Sequence, residues 1–146
     1  MNALPVFLVA LVMVLPGVIA QQDAGIMRVS EIDLSEGVVL LDLMATWCPD
    51  CRKEMEQLRE VNDAYGSEIM IISVDVDTRE SAELLAGYRD EIGAEWLFAL
   101  DDAGLNAEYR VTYIPTLVLL KDGEQVKRYV GNPSADTLMR DIGMVL

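Results

Sequence analysis

Residues 42–51 read DLMATWCPDC and contain both cysteines of the 146-residue chain. The stretch begins inside Val38–Met44 (VVLLDLM), a continuous apolar run with one carboxylate, which is typical of a strand buried on both faces. It ends inside Pro49–Tyr65, where the sequence becomes helix-forming and has apolar residues at helical spacing. The sequence therefore predicts that Cys48 and Cys51 lie where a buried strand passes into a helix.

Outside this stretch, apolar strand patterns alternate with helix patterns. The further helices are predicted over residues 78–92, 102–109 and 134–145. The further strands are predicted over residues 68–76, 96–100, 116–121 and 125–130. Asp122-Gly123 is the strongest hairpin signal, and Ser134 is the predicted N-cap of the last helix. This order predicts an α/β fold in three layers, in which a central mixed sheet has parallel strands joined by helical crossovers and a terminal hairpin.

The helix predicted over residues 78–92 has an amphipathic pattern. Thr78 is suited to cap its N-terminus, because a threonine side chain can accept a hydrogen bond from an unpaired backbone N–H group. Leu84, Leu85 and Tyr88 follow at positions that we expect to form the inward face of the helix.

The composition limits the partners of the protein. The 25 acidic side chains against 11 basic ones give a net charge of −14, which repels phosphate backbones and anionic lipid headgroups. Nucleic acid is therefore not an expected partner, and the acidic excess is read as a solvated surface. The length suits one compact domain, which we assign to residues 27–146.

The N-terminal segment is apolar and without charge. Residues 1–22 contain no charged side chain, and residues 3–20 form an apolar run that is broken only by Pro5, Pro16 and Gly17. Residues 1–20 are predicted to be either a signal peptide, cleaved before Gln21, or a retained N-terminal membrane anchor. Both alternatives place the domain outside the cytoplasm, as a periplasmic, secreted or outward-facing anchored protein, and the N-terminal segment is its only expected membrane contact.

The cysteine pair allows three interpretations, namely a metal site, a structural disulfide and a redox centre. A structural zinc site needs four ligands, and this chain has neither a histidine nor a third cysteine, although carboxylates or a second subunit could complete a site. A copper site lacks histidine too, and Met44 and Met55 are better interpreted as core residues. A purely structural disulfide is the second interpretation, but a link that closes so short a loop constrains the unfolded chain very little.

The third interpretation is a redox centre, and the position of the pair favours it. Cys48 precedes a helix, whose unpaired N–H groups and dipole favour a thiolate and lower its pKa from about 8.5 toward neutrality. Pro49 fits the first helical turn, where its missing N–H costs nothing. Cys51 lies one turn further on, close enough behind Cys48 to resolve a mixed disulfide.

Two segments of the chain resemble thioredoxin. DLMATWCPDC at residues 42–51 is similar to its Asp-x-x-Ala-x-Trp-Cys-x-x-Cys segment, and YIPTLVLLKDGE at residues 113–124 is similar to its Ile-Pro-Thr strand and the turn that follows. The resemblance covers residues 27–146 and implies the thioredoxin fold, a central mixed β-sheet flanked by helices. It also implies that Asp42 takes the proton of the resolving thiol. The implied substrate-binding residues are Trp47, Pro49, Ile114, Pro115 and Thr116, with a cis Ile114-Pro115 bond that faces the dithiol.

The segment between Cys51 and Pro115 is longer than a minimal thioredoxin needs. The excess holds the helix and strand predicted over residues 78–100, which resembles the αβ insertion of the extracytoplasmic TlpA/ResA-like branch. CRKEM at residues 51–55 is similar to that branch as well. Glu56 departs from it, because many relatives have a helix-kinking proline there.

These features together predict a thiol:disulfide oxidoreductase that acts on protein substrates by dithiol exchange. A monomeric reductase without a dissociable cofactor or metal, supplied by a membrane electron donor, is the favoured form. The alternatives are a non-catalytic binding module with a permanent disulfide, or a peroxiredoxin-like peroxidase. The peroxidase is disfavoured because its site has Thr three residues before the cysteine, where this chain has Ala45, with Thr46 next to it. Asp50, between the cysteines, has two opposing effects, because it can repel the Cys48 thiolate while its own charge is favoured by the helix N-terminus. If repulsion dominates, the protein becomes more reducing, although Arg52 and Lys53 could offset it.

Overall fold

The computed structural model describes residues 24–146, and the prediction for residues 1–20 lies outside them. The strands are β1 (Met27–Arg28), β2 (Val38–Met44), β3 (Met70–Asp75), β4 (Leu97–Leu100), β5 (Thr116–Lys121) and β6 (Glu124–Val130). The helices are α1 (Pro49–Tyr65), α2 (Ala82–Ile92), α3 (Leu105–Glu108) and α4 (Ala135–Gly143), and a short 3₁₀ helix spans Val29–Glu31. None of the helices in residues 24–146 has both the length and the apolar character required to cross a bilayer.

The six strands form one mixed sheet in the order β1-β4-β3-β2-β5-β6. β1, β4, β3 and β2 are parallel neighbours, whereas β5 is antiparallel to β2 and forms a hairpin with β6. All seven residues of β2 are buried, because the strand is central and covered on both faces. The sheet and its order confirm the predicted thioredoxin fold.

The two faces of the sheet have separate cores, because successive side chains of a strand point to opposite sides. On one face, Leu40 and Met44 of β2 pack in a core with buried residues of α1, α2 and α4. On the other face, Leu41 and Leu43 pack in a core that α3 covers through Leu105. Alternation places the Asp42 side chain on the same face as Leu40 and Met44, the face that α1 covers.

The start of α2 differs from the prediction. The N-cap is Ser81, whose Oγ accepts a hydrogen bond from the N–H of Leu84, so that the helix begins at Ala82 and not near Thr78. Leu84, predicted to face inward, is 51% exposed, whereas Leu85 and Tyr88 are buried.

One short strand was not predicted, whereas the N-cap of the last helix was predicted correctly. The two-residue strand β1 was not predicted, because so short an edge strand has no periodicity to detect. Ser134 caps α4 as predicted, since its Oγ accepts a hydrogen bond from the N–H of Thr137.

Candidate active site

The two cysteines lie at the N-terminus of α1, and they form a disulfide. Cys48 is the N-cap, and its Sγ accepts a hydrogen bond from the N–H of Cys51 at 3.1 Å. Cys51 is fully buried, and Cys48 is 4% exposed. The N–H of Cys51, in the first turn of α1, therefore points toward the Cys48 sulfur, where it stabilises negative charge.

The loop before β5 lies against the dithiol. The Ile114-Pro115 bond is cis, as the resemblance to thioredoxin implies, and the Ile114 carbonyl oxygen lies 3.7 Å from Cys48 Sγ. Pro115 is buried. Thr116 is also buried, and its hydroxyl donates a hydrogen bond to the carbonyl of Tyr113 at 2.6 Å, so its side chain fixes the loop from within.

Exposed aromatic rings flank the dithiol. Trp47 is 60% exposed, and its indole N–H donates a hydrogen bond to Asp77 at 2.8 Å. Tyr113 is 51% exposed, and its hydroxyl donates to Asp50 Oδ2 at 2.9 Å. Pro49 is exposed as well. Both rings are thus held by carboxylates while their faces stay open to solvent, an arrangement suited to contact with an extended chain.

Asp42 lies in the middle of β2, and it is behind the dithiol in the sense that α1, which carries the cysteines, covers its face of the sheet. It is fully buried, and Ser73 Oγ donates a hydrogen bond to its Oδ2 at 2.7 Å. Among residues 24–146, no hydrogen-bond partner reaches its Oδ1. Burial raises the pKa of Asp42 to about 7, although the hydrogen bond from Ser73 acts in the opposite direction. A carboxylate with this pKa can take up and release a proton near neutral pH.

A second buried carboxylate, Glu54, was not predicted from the sequence. It is fully buried in α1, and the Asn132 amide nitrogen donates to its Oε2 at 2.8 Å when the amide is oriented to satisfy its neighbours. Burial and then the charge of Asp42 raise the pKa of Glu54 to about 9. The sequence does contain a signal for its burial, because Glu54 lies one turn after Cys51 and on the same helical stripe as Leu58.

A cluster of acidic side chains holds the loop that precedes Cys48. Glu80 accepts hydrogen bonds from the backbone N–H of Thr46 at 3.1 Å and from its hydroxyl at 2.7 Å. Asp75 is buried beside it, and burial followed by the hydrogen bond with Glu80 raises the pKa of Asp75. The hydroxyl of Thr46, the threonine next to the position at which a peroxidase has one, is thus bound to Glu80.

Metal chemistry finds no support in the described part of the chain. Within residues 24–146, no group of three or more His, Cys, Asp or Glu side chains is arranged to hold a metal ion.

The dithiol at the N-terminus of α1 and the cis-proline loop beside it define a thioredoxin-fold protein with a redox-type Cys-x-x-Cys pair. The profile of the thioredoxin-like domain matches residues 29–142. The chain belongs to the thioredoxin-like family, and it is an enzyme of the thiol:disulfide oxidoreductase class. The resemblance to thioredoxins and to the TlpA/ResA-like branch is confirmed.

Individual relatives give the degree of similarity. Thioredoxin of Bacillus subtilis (strain 168) is 34% identical over 99 residues, which cover 68% of this chain and 73% of that protein. The crystal structure of StoA from Bacillus subtilis superposes with a TM-score of 0.66 at 26% identity, covering 79% of this chain and 92% of StoA. A putative thiol:disulfide interchange protein DsbE from Chlorobium tepidum has the same fold, with a TM-score of 0.66 at 24% identity over 76% of this chain and 81% of that one.

Proposed function

We propose that this protein reduces disulfide bonds in protein substrates by dithiol exchange. The observation that carries the proposal is the position of Cys48 Sγ, which caps α1 and lies 3.7 Å from the Ile114 carbonyl oxygen. A thiolate at the N-terminus of a helix is stabilised without losing access to a substrate laid along the cis-proline loop.

The reaction begins with the reduced protein. The Cys48 thiolate attacks one sulfur of the substrate disulfide, the substrate S–S bond breaks, and the other substrate sulfur leaves as a thiolate. Cys51 then gives its proton to Asp42, and the resulting thiolate attacks Cys48 Sγ. The mixed disulfide breaks, the second substrate thiolate is released, and the protein keeps the Cys48–Cys51 disulfide. The substrate gains two electrons, which an electron donor later returns to the protein.

The substrate surface is assigned to the exposed ring of Trp47 and to Pro49, together with the loop residues Ile114 and Pro115. The backbone of that loop is the partner for an extended substrate segment, and the aromatic ring offers a contact that tolerates many sequences. Thr116 contributes through the loop, because its hydroxyl is bound to the Tyr113 carbonyl.

The setting of the reaction is proposed from the sequence. The apolar run in residues 3–20 supports a signal peptide or anchor within residues 1–20 and an extracytoplasmic thioredoxin-like domain over residues 27–146. A reductase in an oxidising compartment needs electrons from elsewhere, so a membrane electron donor is its proposed partner. The domain is proposed to act as a monomer.

The test is an insulin-reduction assay of wild type, Cys48→Ser and Cys51→Ser. Wild type is expected to turn over, and Cys48→Ser is expected to fall to the background rate. Cys51→Ser is the matched control, because it retains the attacking thiol and should accumulate a mixed disulfide with the substrate. Equal inertness of all three proteins would contradict the proposal and support a binding module with a permanent disulfide.

The direction of electron flow is tested by the equilibrium reduction potential, measured against a dithiothreitol series. A reductase is expected near the value of thioredoxin, about −270 mV or below. A potential near about −120 mV would instead make the protein a disulfide donor.

A further inference from the structure

The two carboxylate oxygens of Asp42 differ in their hydrogen bonding. Asp42 and Ser73 are direct partners in the parallel pairing of β2 with β3, and both are fully buried. Oδ2 accepts a hydrogen bond from Ser73, whereas Oδ1 is buried and has no partner in the described part of the chain. One oxygen of the carboxyl group therefore accepts a hydrogen bond, and the other is left to receive a proton.

Trp96 fixes the direction of the Ser73 hydrogen bond. The indole Nε1–H donates to Ser73 Oγ at 3.0 Å, and an indole nitrogen can only donate. Ser73 must therefore accept from Trp96, and its single hydroxyl proton goes to Asp42 Oδ2. If a proton sat on Oδ2 and pointed at Ser73, the Ser73 proton would lose its acceptor, because these are the only hydrogen bonds of that hydroxyl among the described residues.

We propose that Trp96 and Ser73 are positioning residues, which direct the proton from Cys51 to Oδ1 of Asp42 by keeping Oδ2 permanently occupied. The inference rests on the proposed role of Asp42 as the proton acceptor. In the proton-transfer step, the S–H bond of Cys51 breaks, an O–H bond forms at Oδ1, and the negative charge moves from the carboxylate to the sulfur.

The position of Trp96 also assigns a purpose to the inserted segment. Trp96 lies between α2 and β4, inside the stretch that exceeds a minimal thioredoxin. Its ring is buried and stacks on Phe98, with a centroid separation of 6.0 Å, so the direction of its N–H is set by core packing. The insertion thereby supplies the outer member of a hydrogen-bond chain that ends behind the dithiol.

The titration of Asp42 can be followed without interference from its neighbours. Among residues 24–146, the titratable groups whose pKa is raised by the charge of Asp42 are Glu54 on α1 and Tyr88 on α2. Burial raises the pKa of Glu54 to about 9 and that of Tyr88 to about 12, so both are neutral when Asp42 titrates. In the oxidised protein, the cysteines carry no proton to titrate.

The experiment is an infrared titration of the oxidised protein with carboxyl-labelled aspartate, taken as the difference from Asp42→Asn. Ser73→Ala is expected to raise the Asp42 midpoint by about one pH unit, because the ionised form loses its hydrogen bond. The carbonyl band of protonated Asp42 is expected to move to higher wavenumber, since its Oδ2 carbonyl loses the Ser73 donor. If the proton sits on Oδ2 instead, that band will not move, and the proposal is wrong.

Further variants separate positioning from general damage. Trp96→Phe keeps an aromatic ring and is expected to shift the midpoint in the same direction by less, and Ser73→Thr is expected to restore the wild-type value. Ser35→Ala is the matched control, because the Ser35 hydroxyl also donates to a carboxylate, that of Asp33, but at an exposed site. Its midpoint should equal that of wild type. If Ser73→Ala does not fold, the Trp96→Phe shift and the position of its carbonyl band decide.

The outcomes also separate this inference from the proposed function. The acidic limb of the insulin-reduction rate should move to higher pH in Ser73→Ala, together with the infrared midpoint. A shifted infrared midpoint with an unmoved acidic limb would support the hydrogen-bond chain but would show that Asp42 takes no part in catalysis. An active enzyme with an unmoved midpoint would retain the proposed function and overturn the inference.

Discussion

Buried carboxylates occur in two regions of this protein, with opposite consequences. Behind the dithiol, Asp42 and Glu54 are fully buried, and both pKa values are raised. Within the described residues, neither is paired with a cation, and each has one oxygen without a hydrogen-bond partner. On α4, Asp141 is only 3% exposed, but Tyr129 donates to it at 2.7 Å, and Arg140 and Lys127 lie within 3.1 Å and 3.8 Å. The pKa of Asp141 is lowered, with the hydrogen bond from Tyr129 as the main cause.

The difference shows that burial alone does not decide the charge of a carboxylate. Donors and cations compensate Asp141, so it stays ionised and ties α4 to β6. The carboxyl groups behind the dithiol are left largely uncompensated, at a cost in stability, and groups held in this way are typical of functional sites. Substitutions in the two regions should therefore change stability in opposite directions.

The largest effect is expected for Asp42→Asn, which should stabilise the oxidised protein at alkaline pH. Burial raises the pKa of Asp42 from 3.8 to about 7. The unfolded chain therefore releases this proton first, and the folded state loses stability as the pH rises from about 4 to about 7. At pH 8 the variant should gain about 4 kcal/mol in free energy of unfolding, and near pH 4 the gain should nearly vanish.

Urea denaturation of both oxidised proteins at pH 4 and pH 8 measures this difference. The same variant should reduce insulin more slowly, because it lacks the proton acceptor for Cys51. An equal gain at both pH values would mean that Asp42 does not titrate between them. A loss of stability at pH 8 would show that its charge is compensated in the folded state.

A smaller effect of opposite sign is expected for Asp141→Asn. The amide can still accept from Tyr129, but the attraction to Arg140 and Lys127 is lost. Because both cations are about half exposed or more, at 64% and 51%, the cost should be about 1 kcal/mol and should shrink in high salt.

The pH dependence of this variant provides its check. The lowered pKa means that the contribution of Asp141 is present above the unfolded pKa and disappears as the pH falls through the folded value. Wild type and variant should therefore converge in acid, as measured by urea denaturation. A variant as stable as wild type at low salt and pH 7 would show that these ion pairs contribute nothing.

The smallest effect is expected for Asp50→Asn, which tests an exposed carboxylate beside the same dithiol. Lys53 Nζ lies 3.1 Å from Asp50 Oδ1, and Tyr113 donates to Oδ2, so the charge is already compensated. The reduction potential should move by only about 10 mV, because the charge of an exposed carboxylate is screened by solvent. A shift of about 30 mV toward a less reducing potential would support instead the expectation from sequence that Asp50 destabilises the thiolate.

The sequence predicted most of the architecture because the relevant signals are local. The continuous apolar run of β2, the helical spacing in α1 and the turn at Asp122-Gly123 each depend on neighbouring residues, and the structure has all three. The prediction failed where two local signals compete or where a segment is too short to have one. Thr78 and Ser81 are both suitable caps for α2, and a two-residue strand such as β1 has no period.

The sequence by itself determined the dithiol, its place at the start of a helix and the cis-proline motif, because residue type and short spacing are enough to define them. Only the tertiary structure brought Trp96 and Ser73 to Asp42, turned Glu54 inward beside Asn132 and placed Tyr129 beside Asp141. These contacts join residues far apart in the chain. They depend on strand register and on the packing of helices against the sheet, which no short stretch of sequence encodes.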